Sequence, residues 1–228
     1  MLVRNERQCL EVILPTLPKP GPGAGFDRLI AVDGGSTDGT LDVLRRAGIE
    51  VFEQTRRGRG AACIEAMEKF TADAYLFFSP DGNEDVADLP KFRGYLDDGA
   101  DLVIASRMMA GAVNEEDAGF FKPRKIANLG FNLGANLVFR RSGPFITDSI
   151  NGFRAIRRTL AERLQLDAAD YTIEYQMTIR ALRAGARVIE FPTHEYPRIA
   201  GQTGAPSFAT GVSFIRRFFT ELRVPAPT

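Results

Sequence analysis

The stretch Asp73–Asp88 reads DAYLFFSPDGNEDVAD and decides the class of fold. Its apolar run, Ala74–Phe78, stops at Ser79, and residues with carboxylate and amide oxygens follow. Such a run is typical of a buried parallel strand, and open α/β sheets bind their ligands at the carboxyl edge of their strands. Asp81 and Asn83 could therefore offer hard oxygen ligands to Mg²⁺ or Mn²⁺ bridging a diphosphate. The same residue types also form ordinary strand-to-helix turns, so this stretch alone leaves both interpretations open.

Strand and helix patterns alternate along the rest of the chain. Further strands are predicted at Arg28–Asp33, Ile49–Glu53, Asp101–Ala105 and Arg187–Phe191, with helical patterns between them. This alternation predicts an α/β fold with a mostly parallel central sheet flanked by helices. Met1–Val3 is too short to be a convincing core strand, so we expect the first strand to be clipped.

Two glycine-rich turns follow predicted strands and favour an anionic ligand. Asp33 opens the run DGGSTDGT, which has more glycine and aspartate than a plain turn requires, and its carboxylate could hold a ribose or a base. The run Arg57–Gly60 leads into a helix predicted from Ala61 to Phe70. The amino terminus of that helix and the two guanidinium groups could receive a phosphate.

Composition bounds the class of protein. The 228 residues predict one α/β domain, and 29 Lys and Arg balance 29 Asp and Glu, so bulk charge gives no reason to expect a nucleic-acid partner. Cys9 and Cys63 lack the spacing of a zinc or redox site. No apolar stretch is long enough to span a bilayer. This predicts a cytoplasmic protein that could contact a membrane only peripherally, at the inner face.

The second half of the chain holds several polar candidates. Asn128, Asn132 and Asn136 repeat every four residues on a predicted helix and are either solvent-exposed or part of a polar site. The motif DSINGFR, from Asp148, places an acid and an arginine around an Asn-Gly turn. His194 is the only histidine and is more often structural than catalytic in such a position.

The carboxyl-terminal segment predicts an amphipathic helix over Ser207–Leu222. Its apolar face either packs on the core or lies in a membrane interface, with Phe214, Phe218 and Phe219 beside basic residues. We therefore divide the chain into a catalytic domain, 1–206, and a carboxyl-terminal amphipathic helix and tail, 207–228.

Taken together, these stretches resemble glycosyltransferase family 2, which has the GT-A fold, and within it the dolichyl- or polyprenyl-phosphate sugar synthases. The matching stretches, in the family's order, are NERQ at Asn5, VDGGSTDGT at Val32, GRG at Gly58, FFSPDGN at Phe77, ASR at Ala105, PRKIANLGFNLGAN at Pro123, DSINGFRAIRR at Asp148 and YTIEYQMTIRALRAGARVIEFP at Tyr171. They cover nearly the whole chain.

The resemblance implies a nucleotide-diphosphate sugar donor linked to UDP or GDP, a divalent metal and a polyprenyl phosphate acceptor. It implies donor binding by Asn5, Glu6, Asp33, Arg57, Arg59, Ser79 and Asp81. It implies metal binding by Asp81 and Asn83, and acceptor binding by Arg107, Arg124, Asn132 and Arg198. Asp81, Arg107 and Asp148 are the residues expected to take part in catalysis.

The chain departs from the family's pattern at three positions. Ser79 stands at the first aspartate of the DxD motif, Gly34 at the second aspartate of the DDGS turn, and Gly204 at a basic position. The reaction we expect is inverting transfer of a hexose to polyprenyl phosphate, which needs little base catalysis. Two alternatives are transfer to a hydroxyl of a soluble acceptor, with Asp148 or Glu174 as general base, and a non-catalytic nucleotide-sugar-binding remnant.

Overall fold

The computed structural model describes residues 1–114, 123–201 and 207–226, and within these the side chains of all but 123, 124, 207 and 208. These residues form seven strands and eight α-helices. The strands are β1 (Leu2–Val3), β2 (Ile30–Asp33), β3 (Glu50–Glu53), β4 (Ala74–Phe77), β5 (Leu102–Ser106), β6 (Arg154–Arg157) and β7 (Val188–Pro192). The helices are α1 (Arg7–Ile13), α2 (Thr40–Arg46), α3 (Arg59–Lys69), α4 (Leu89–Asp97), α5 (Pro123–Phe139), α6 (Arg158–Leu164), α7 (Ile173–Arg183) and α8 (Ser207–Arg223).

The strands form two adjoining sheets. β1, β2 and β3 are parallel, with Leu2 opposite Val32, and the second sheet has the order β4-β6-β5-β7. The amide of Leu2 donates to the carbonyl of Phe78 at 3.1 Å, so β1 lies beside the end of β4. β6 is antiparallel to both of its neighbours, whereas β5 and β7 are parallel. The predicted α/β class with a mostly parallel sheet flanked by helices is confirmed.

Both faces of the second sheet are buried. Leu102 and Ile104 of β5 belong to one apolar cluster, which also contains Tyr175 of α7. Val103 of β5 belongs to the cluster on the opposite face, with Phe92 of α4. Alternate side chains of a strand point to opposite faces, and this is why β5 reads as a continuous apolar run.

The glycines at the start of α3 allow its backbone to approach that of the segment before α7 closely. A Cβ on Gly60 would lie 2.0 Å from the carbonyl oxygen of Ala168, and one on Gly58 would lie 2.1 Å from that of Ala169. Gly58 also has a φ of 116°, which L-residues rarely adopt. The sequence run Arg57–Gly60 is therefore explained in part by packing against the segment before α7.

The sequence patterns missed β6 and α6, and they underestimated β1. β6 has the sequence RAIR, and its first arginine is fully buried. A prediction from hydrophobicity alone places an arginine at the surface, so this strand could not be recognised. The Arg154 guanidinium donates to the carbonyls of Ser149, Asn151 and Glu174 and to the Thr178 hydroxyl, so that its burial is compensated. β1 forms despite its two-residue length because it pairs with β2 and carries the buried Val3.

The carboxyl-terminal helix α8 packs on the rest of the fold. Phe214 is 6% exposed, and its ring lies 5.1 Å from that of Phe131 in α5 and 5.5 Å from that of Tyr175 in α7. Glu221 is fully buried and pairs with Arg180 of α7. Of the two predicted placements, packing on the core holds for the side of α8 that carries Phe214 and Glu221, whereas Ile215 and Phe219 are exposed. The division of the chain at residue 207 stays a prediction. Among the described residues, none of the helices has the length and apolar character needed to cross a bilayer.

Candidate active site

A cavity of about 1990 Å³ opens at the carboxyl edge of the strands. Residues after β1, β2, β3, β4, β5 and β7 line it, and so do residues of α5 and α8. Loops that follow parallel strands meet at one edge of a sheet, which explains why motifs far apart in the chain converge here. Of the predicted site residues, the cavity is lined by Asn5, Glu6, Arg57, Arg59, Ser79, Asp81, Asn83, Arg107 and Arg198.

Asp81 occupies the loop after β4 and is paired with a basic residue. Its Oδ2 accepts from Nη1 of Arg198 at 2.8 Å, and its Oδ1 accepts from the amide of Asn83 at 3.2 Å. The Arg198 guanidinium also lies 3.6 Å from Oε1 of Glu6. The backbone carbonyl of Asp81 accepts from the amide of Ile199, so the segment around Arg198 lies over this loop.

The donor set around Asp81 fits a divalent cation bound together with a diphosphate. Asp81 and Asn83 both line the cavity, and one carboxylate with an amide oxygen is the kind of partial oxygen set that Mg²⁺ and Mn²⁺ complete with substrate phosphates. The described residues contain no cluster of three or more His, Cys, Asp and Glu that could hold a metal alone. A cation at Asp81 would require Arg198 to leave Oδ2.

Glu84 is a site residue that the sequence reasoning missed. Its Oε2 accepts from the backbone amide of Ser79 at 2.8 Å, and Nη1 of Arg59 donates to the hydroxyl of Ser79 at 3.3 Å. Burial, and then the charge of Asp81, raise the pKa of Glu84 to about 8. A carboxyl group thus lies beside position 79, where the family's aspartate is missing. Its place within DGNEDV was the signal that could have identified it.

Replacing Glu84 by Gln is expected to flatten the pH dependence of stability measured in chelator. The raised pKa means that the folded chain holds a proton that the unfolded chain releases, so stability falls as pH rises from about 4.5 towards 8. We expect Glu84→Gln to be more stable than wild type at pH 8 by about 1–3 kcal/mol, reduced from the full linkage value because the group is partly solvated. Urea denaturation across this range measures it, with Glu11→Gln on α1 as the control. An unchanged slope in Glu84→Gln would contradict the assignment.

Arg59 is held at the cavity by an acid on α7. Its Nε donates to Oε1 of Glu174 at 2.7 Å, and the Glu174 side chain is 7% exposed. A Cβ on Gly152 would lie 2.2 Å from Nη2 of Arg59. The glycine of the motif DSINGFR therefore gives the guanidinium its room. Arg57 next to it is exposed at the cavity and has no ion pair with any described residue.

Arg107 is fixed by two carboxylates. Its Nε and Nη2 donate to the two oxygens of Asp148 at 2.8 and 3.0 Å, and its Nη1 donates to Oε1 of Glu195 at 2.8 Å. Asp148 is fully buried, also accepts from the amide of Arg107 and does not line the cavity. The expectation that Asp148 acts directly in catalysis, or as a general base, is therefore corrected: its contacts position Arg107.

The three amides of α5 divide into two roles. Asn128 lines the cavity. Asn132 accepts from the amide and the hydroxyl of Ser149, and Asn136 exchanges hydrogen bonds at 2.8 Å with both backbone groups of Ile146. Both are buried beneath the cavity, because the irregular segment before β6 needs partners for its backbone. The prediction of Asn132 as an acceptor ligand is therefore corrected, and neither predicted placement describes it.

Asp33 and Asn5 organise the turn after β2. The Asp33 carboxylate accepts from the amide of Gly35 at 2.9 Å and from the hydroxyl of Ser36 at 2.5 Å. Asn5 has a φ of 55° and its side chain accepts from the amide of Thr37 at 2.8 Å. Gly34 and Gly35 line the cavity whereas Asp33 does not. A contact of Asp33 with the nucleoside stays a prediction.

Arg124 and His194 belong to the second half of the chain. The Arg124 side chain, like Gly204, lies outside the described residues, so its acceptor role stays a prediction. His194 lines the cavity with its ring stacked on Tyr196, 4.0 Å between centroids.

The fold is shared with solved glycosyltransferases. Glucosyl-3-phosphoglycerate synthase from Mycobacterium tuberculosis, in complex with Mn²⁺, UDP-glucose and phosphoglyceric acid, superposes with a TM-score of 0.75 at 19% identity, covering 98% of this chain and 78% of that one. The predicted GT-A fold is therefore confirmed.

The family follows from sequence. The model of glycosyl transferase family 2 matches residues 3–165. The glycosyltransferase AglJ of Haloferax volcanii is 31% identical over 183 residues, which are 78% of this chain and 56% of that protein. This chain belongs to glycosyltransferase family 2 and is a glycosyltransferase.

Two further relatives have names that state a lipid acceptor. A dolichyl-phosphate hexose transferase of Haloferax volcanii is 27% identical, covering 92% of this chain and 86% of the relative. A polyprenol monophosphomannose synthase of Mycolicibacterium smegmatis is 30% identical, covering 82% of this chain and 72% of the relative. The predicted resemblance to polyprenyl-phosphate sugar synthases is thus confirmed, since proteins with such names are among the relatives of this chain.

Proposed function

We propose that this chain transfers a hexosyl group from a UDP- or GDP-linked sugar to polyprenyl phosphate, with inversion at the anomeric carbon and with Mg²⁺ or Mn²⁺ bound. The cavity offers guanidinium groups for two phosphorylated substrates. Arg57 precedes α3 and Arg59 begins it, and both are assigned to the donor. Arg107 follows β5 and Arg198 follows β7, and these two are assigned to the acceptor or the leaving diphosphate.

One observation carries the choice of a phosphate acceptor. Every carboxylate among the described residues that line the cavity is already engaged: Glu6 and Asp81 with Arg198, Glu84 with the Ser79 amide, Glu174 with Arg59, and Glu195 with Arg107. A hydroxyl acceptor needs a base to take its proton. A phosphate monoester is ionised near neutral pH and needs none.

The other residues that line the cavity would support these arginines. Asp81 and Asn83 would hold the metal, which neutralises charge on the leaving diphosphate when bound. Asn5 and Glu6 shape the donor side of the cavity, and Ser79, through Arg59, links the loop after β4 to the donor phosphates. Rate acceleration then comes from positioning and from fixed positive charge rather than from proton transfer.

A soluble acceptor is the second candidate. The structural neighbour described above was solved with phosphoglyceric acid, and a small phosphorylated acid could use the same arginines. Glu174 remains at the cavity as a base for a hydroxyl acceptor, although its pairing with Arg59 opposes that role. The third reading, a binding remnant, rests on Ser79 in place of an aspartate.

The three candidate functions can be distinguished by following a labelled sugar between the organic and the aqueous phase. We expect the full chain, given Mn²⁺ and sugar-labelled UDP- or GDP-hexoses, to move label into organic solvent only when polyprenyl phosphate is added. Label transferred only to added phosphoglyceric acid, in the aqueous phase, would favour the soluble acceptor. Donor binding without transfer or hydrolysis would favour the remnant. The proposed acceptor places the enzyme at the cytoplasmic face of a membrane, as a peripheral protein.

A further inference from the structure

Helices α5 and α8 carry apolar side chains that are exposed in the described part of the structure. On α5 the exposed side chains are Ile126, Leu129, Leu133 and Leu137, with 63, 54, 49 and 75% of their area exposed. Their spacing of three and four residues places them along one side of the helix. On α8 they are Ile215, Phe219 and Leu222, with 51, 55 and 47% exposed. We call these seven residues the α5–α8 face.

The exposed apolar residues of α5 and those of α8 lie on either side of the contact between the two helices. A Cβ on Gly134 of α5 would lie 3.2 Å from the Phe218 ring, and the Phe218 ring lies 5.7 Å from that of Phe219. Gly134 follows Leu133 in the chain, so exposed side chains stand on both sides of the contact between the helices. A contiguous exposed apolar surface on a folded chain marks an interaction site.

The exposed charged residues that belong to α8 or directly follow α5 are all basic. Arg140 and Arg141 follow α5 and are exposed, as are Arg216 and Arg223 on α8. α5 contains no acidic residue, and the only one on α8, Glu221, is fully buried. A two-fold contact with a second copy would set these arginines near one another. An anionic lipid surface complements both the apolar stripe and its basic border.

The α5–α8 face adjoins the cavity. Asn128 and Phe131 of α5, and Gly211 and Phe214 of α8, line the cavity wall, while the exposed stripes lie on other sides of the same helices. A surface bound to this face would therefore bring headgroups to the cavity mouth. We propose that the α5–α8 face docks the enzyme on an anionic bilayer. The inference builds on the proposed lipid-linked acceptor and names the partner of that site.

Flotation of the full chain with lipid vesicles tests the docking of the α5–α8 face and does not require enzymatic activity. We expect it to float with phosphatidylcholine–phosphatidylglycerol vesicles and to stay at the bottom with phosphatidylcholine alone. Leu133→Asp with Leu137→Asp should lower partitioning about tenfold or more, since apolar contact is lost and like charge is added. Val12→Asp on α1, where Val12 is 52% exposed, is the matched control and should float as wild type does.

A second pair of variants tests the basic border. Arg140→Gln with Arg141→Gln should weaken flotation, whereas Arg45→Gln with Arg46→Gln, the exposed arginine pair ending α2, should not. Thermal shift with UDP and Mn²⁺ checks that each variant is folded. Deletion of α8 is a poor test because Phe214 and Glu221 are buried in the fold.

Three results would overturn the proposal: a wild-type chain that never floats, a Leu133/Leu137 variant that floats normally, or a dimer in sedimentation that this variant dissociates. The last would assign the face to a second copy. A chain that floats but does not label lipid would instead refute the proposed acceptor and leave the docking face standing.

Discussion

Replacing Asp81 by Asn is expected to abolish Mn²⁺-dependent donor binding while the chain stays folded. With Ser79 in place of an aspartate, Asp81 is the one carboxylate that the DxD position offers to a cation. Its amide replacement keeps the shape and the acceptor for the Asn83 amide but removes the charge that pairs with Arg198 and that we expect to bind the cation. We expect transferase activity to fall about 100-fold or more, the scale seen when a charge-stabilising group is removed from a preorganised site.

Calorimetric titration of UDP with and without Mn²⁺ measures the binding directly. Asp85→Asn is the matched control: Asp85 lies four residues on, its side chain accepts from the amide of Ala87, and Asn caps a helix as well as Asp does. Metal-dependent binding that survives in Asp81→Asn would reject the metal site. A variant that loses donor binding with and without Mn²⁺ would show instead that freed Arg198 blocks the cavity.

The sequence predicted those parts of the site that lie in loops following apolar strands. Asp81, Arg107 and Arg59 could be placed at one sheet edge because each follows a recognisable strand or opens a helix, and the structure brings all three to one cavity. Their partners could not be predicted in the same way. Glu174 and Glu195 are far away in the chain, and which acid reaches which arginine depends on packing.

The errors have a common physical cause. Asp148 and Asn132 are polar residues in motifs that match the family, and they were therefore expected to touch ligands. Both are buried beneath the cavity, where Asp148 fixes Arg107 and Asn132 holds the backbone near Ser149. Sequence patterns distinguish buried from exposed side chains by polarity, and they fail where a polar side chain is buried with its partners. Arg154 of β6 is the extreme example.

The segment after residue 206 shows the same limit. Its amphipathic pattern was correctly identified, but a pattern alone does not say which apolar residues face the core. The structure buries Phe214 and leaves Phe219 55% exposed, although both belong to the apolar pattern of one amphipathic helix. The choice is made by neighbours on α5 and α7, among them the Phe131 and Tyr175 rings.

Replacing Glu221 by Ala is expected to lower the free energy of unfolding by about 3–5 kcal/mol. Both oxygens of the fully buried Glu221 carboxylate pair with Arg180, at 2.9 and 3.1 Å, and Gln176 donates to it at 2.8 Å. Arg180 is itself only 4% exposed, so removing the acid leaves a buried guanidinium whose remaining partners are the carbonyls of Leu164 and Gln165 and the largely exposed Asp167, at 3.3 Å. A loss of this size is a large fraction of the stability of an ordinary domain.

Urea denaturation at pH 7 measures the loss, and Glu162→Ala is the matched control. Glu162 pairs with Arg158 at 3.4 Å on the exposed surface of α6, and its removal is expected to change stability by about 0.5 kcal/mol or less. Arg180→Met with Glu221→Leu should recover most of the loss, because the double variant removes both buried charges and fills their space with apolar groups. If Glu221→Ala is instead as stable as its control, α8 is not anchored to α7 by this pair, and that result would support the predicted division of the chain at residue 207.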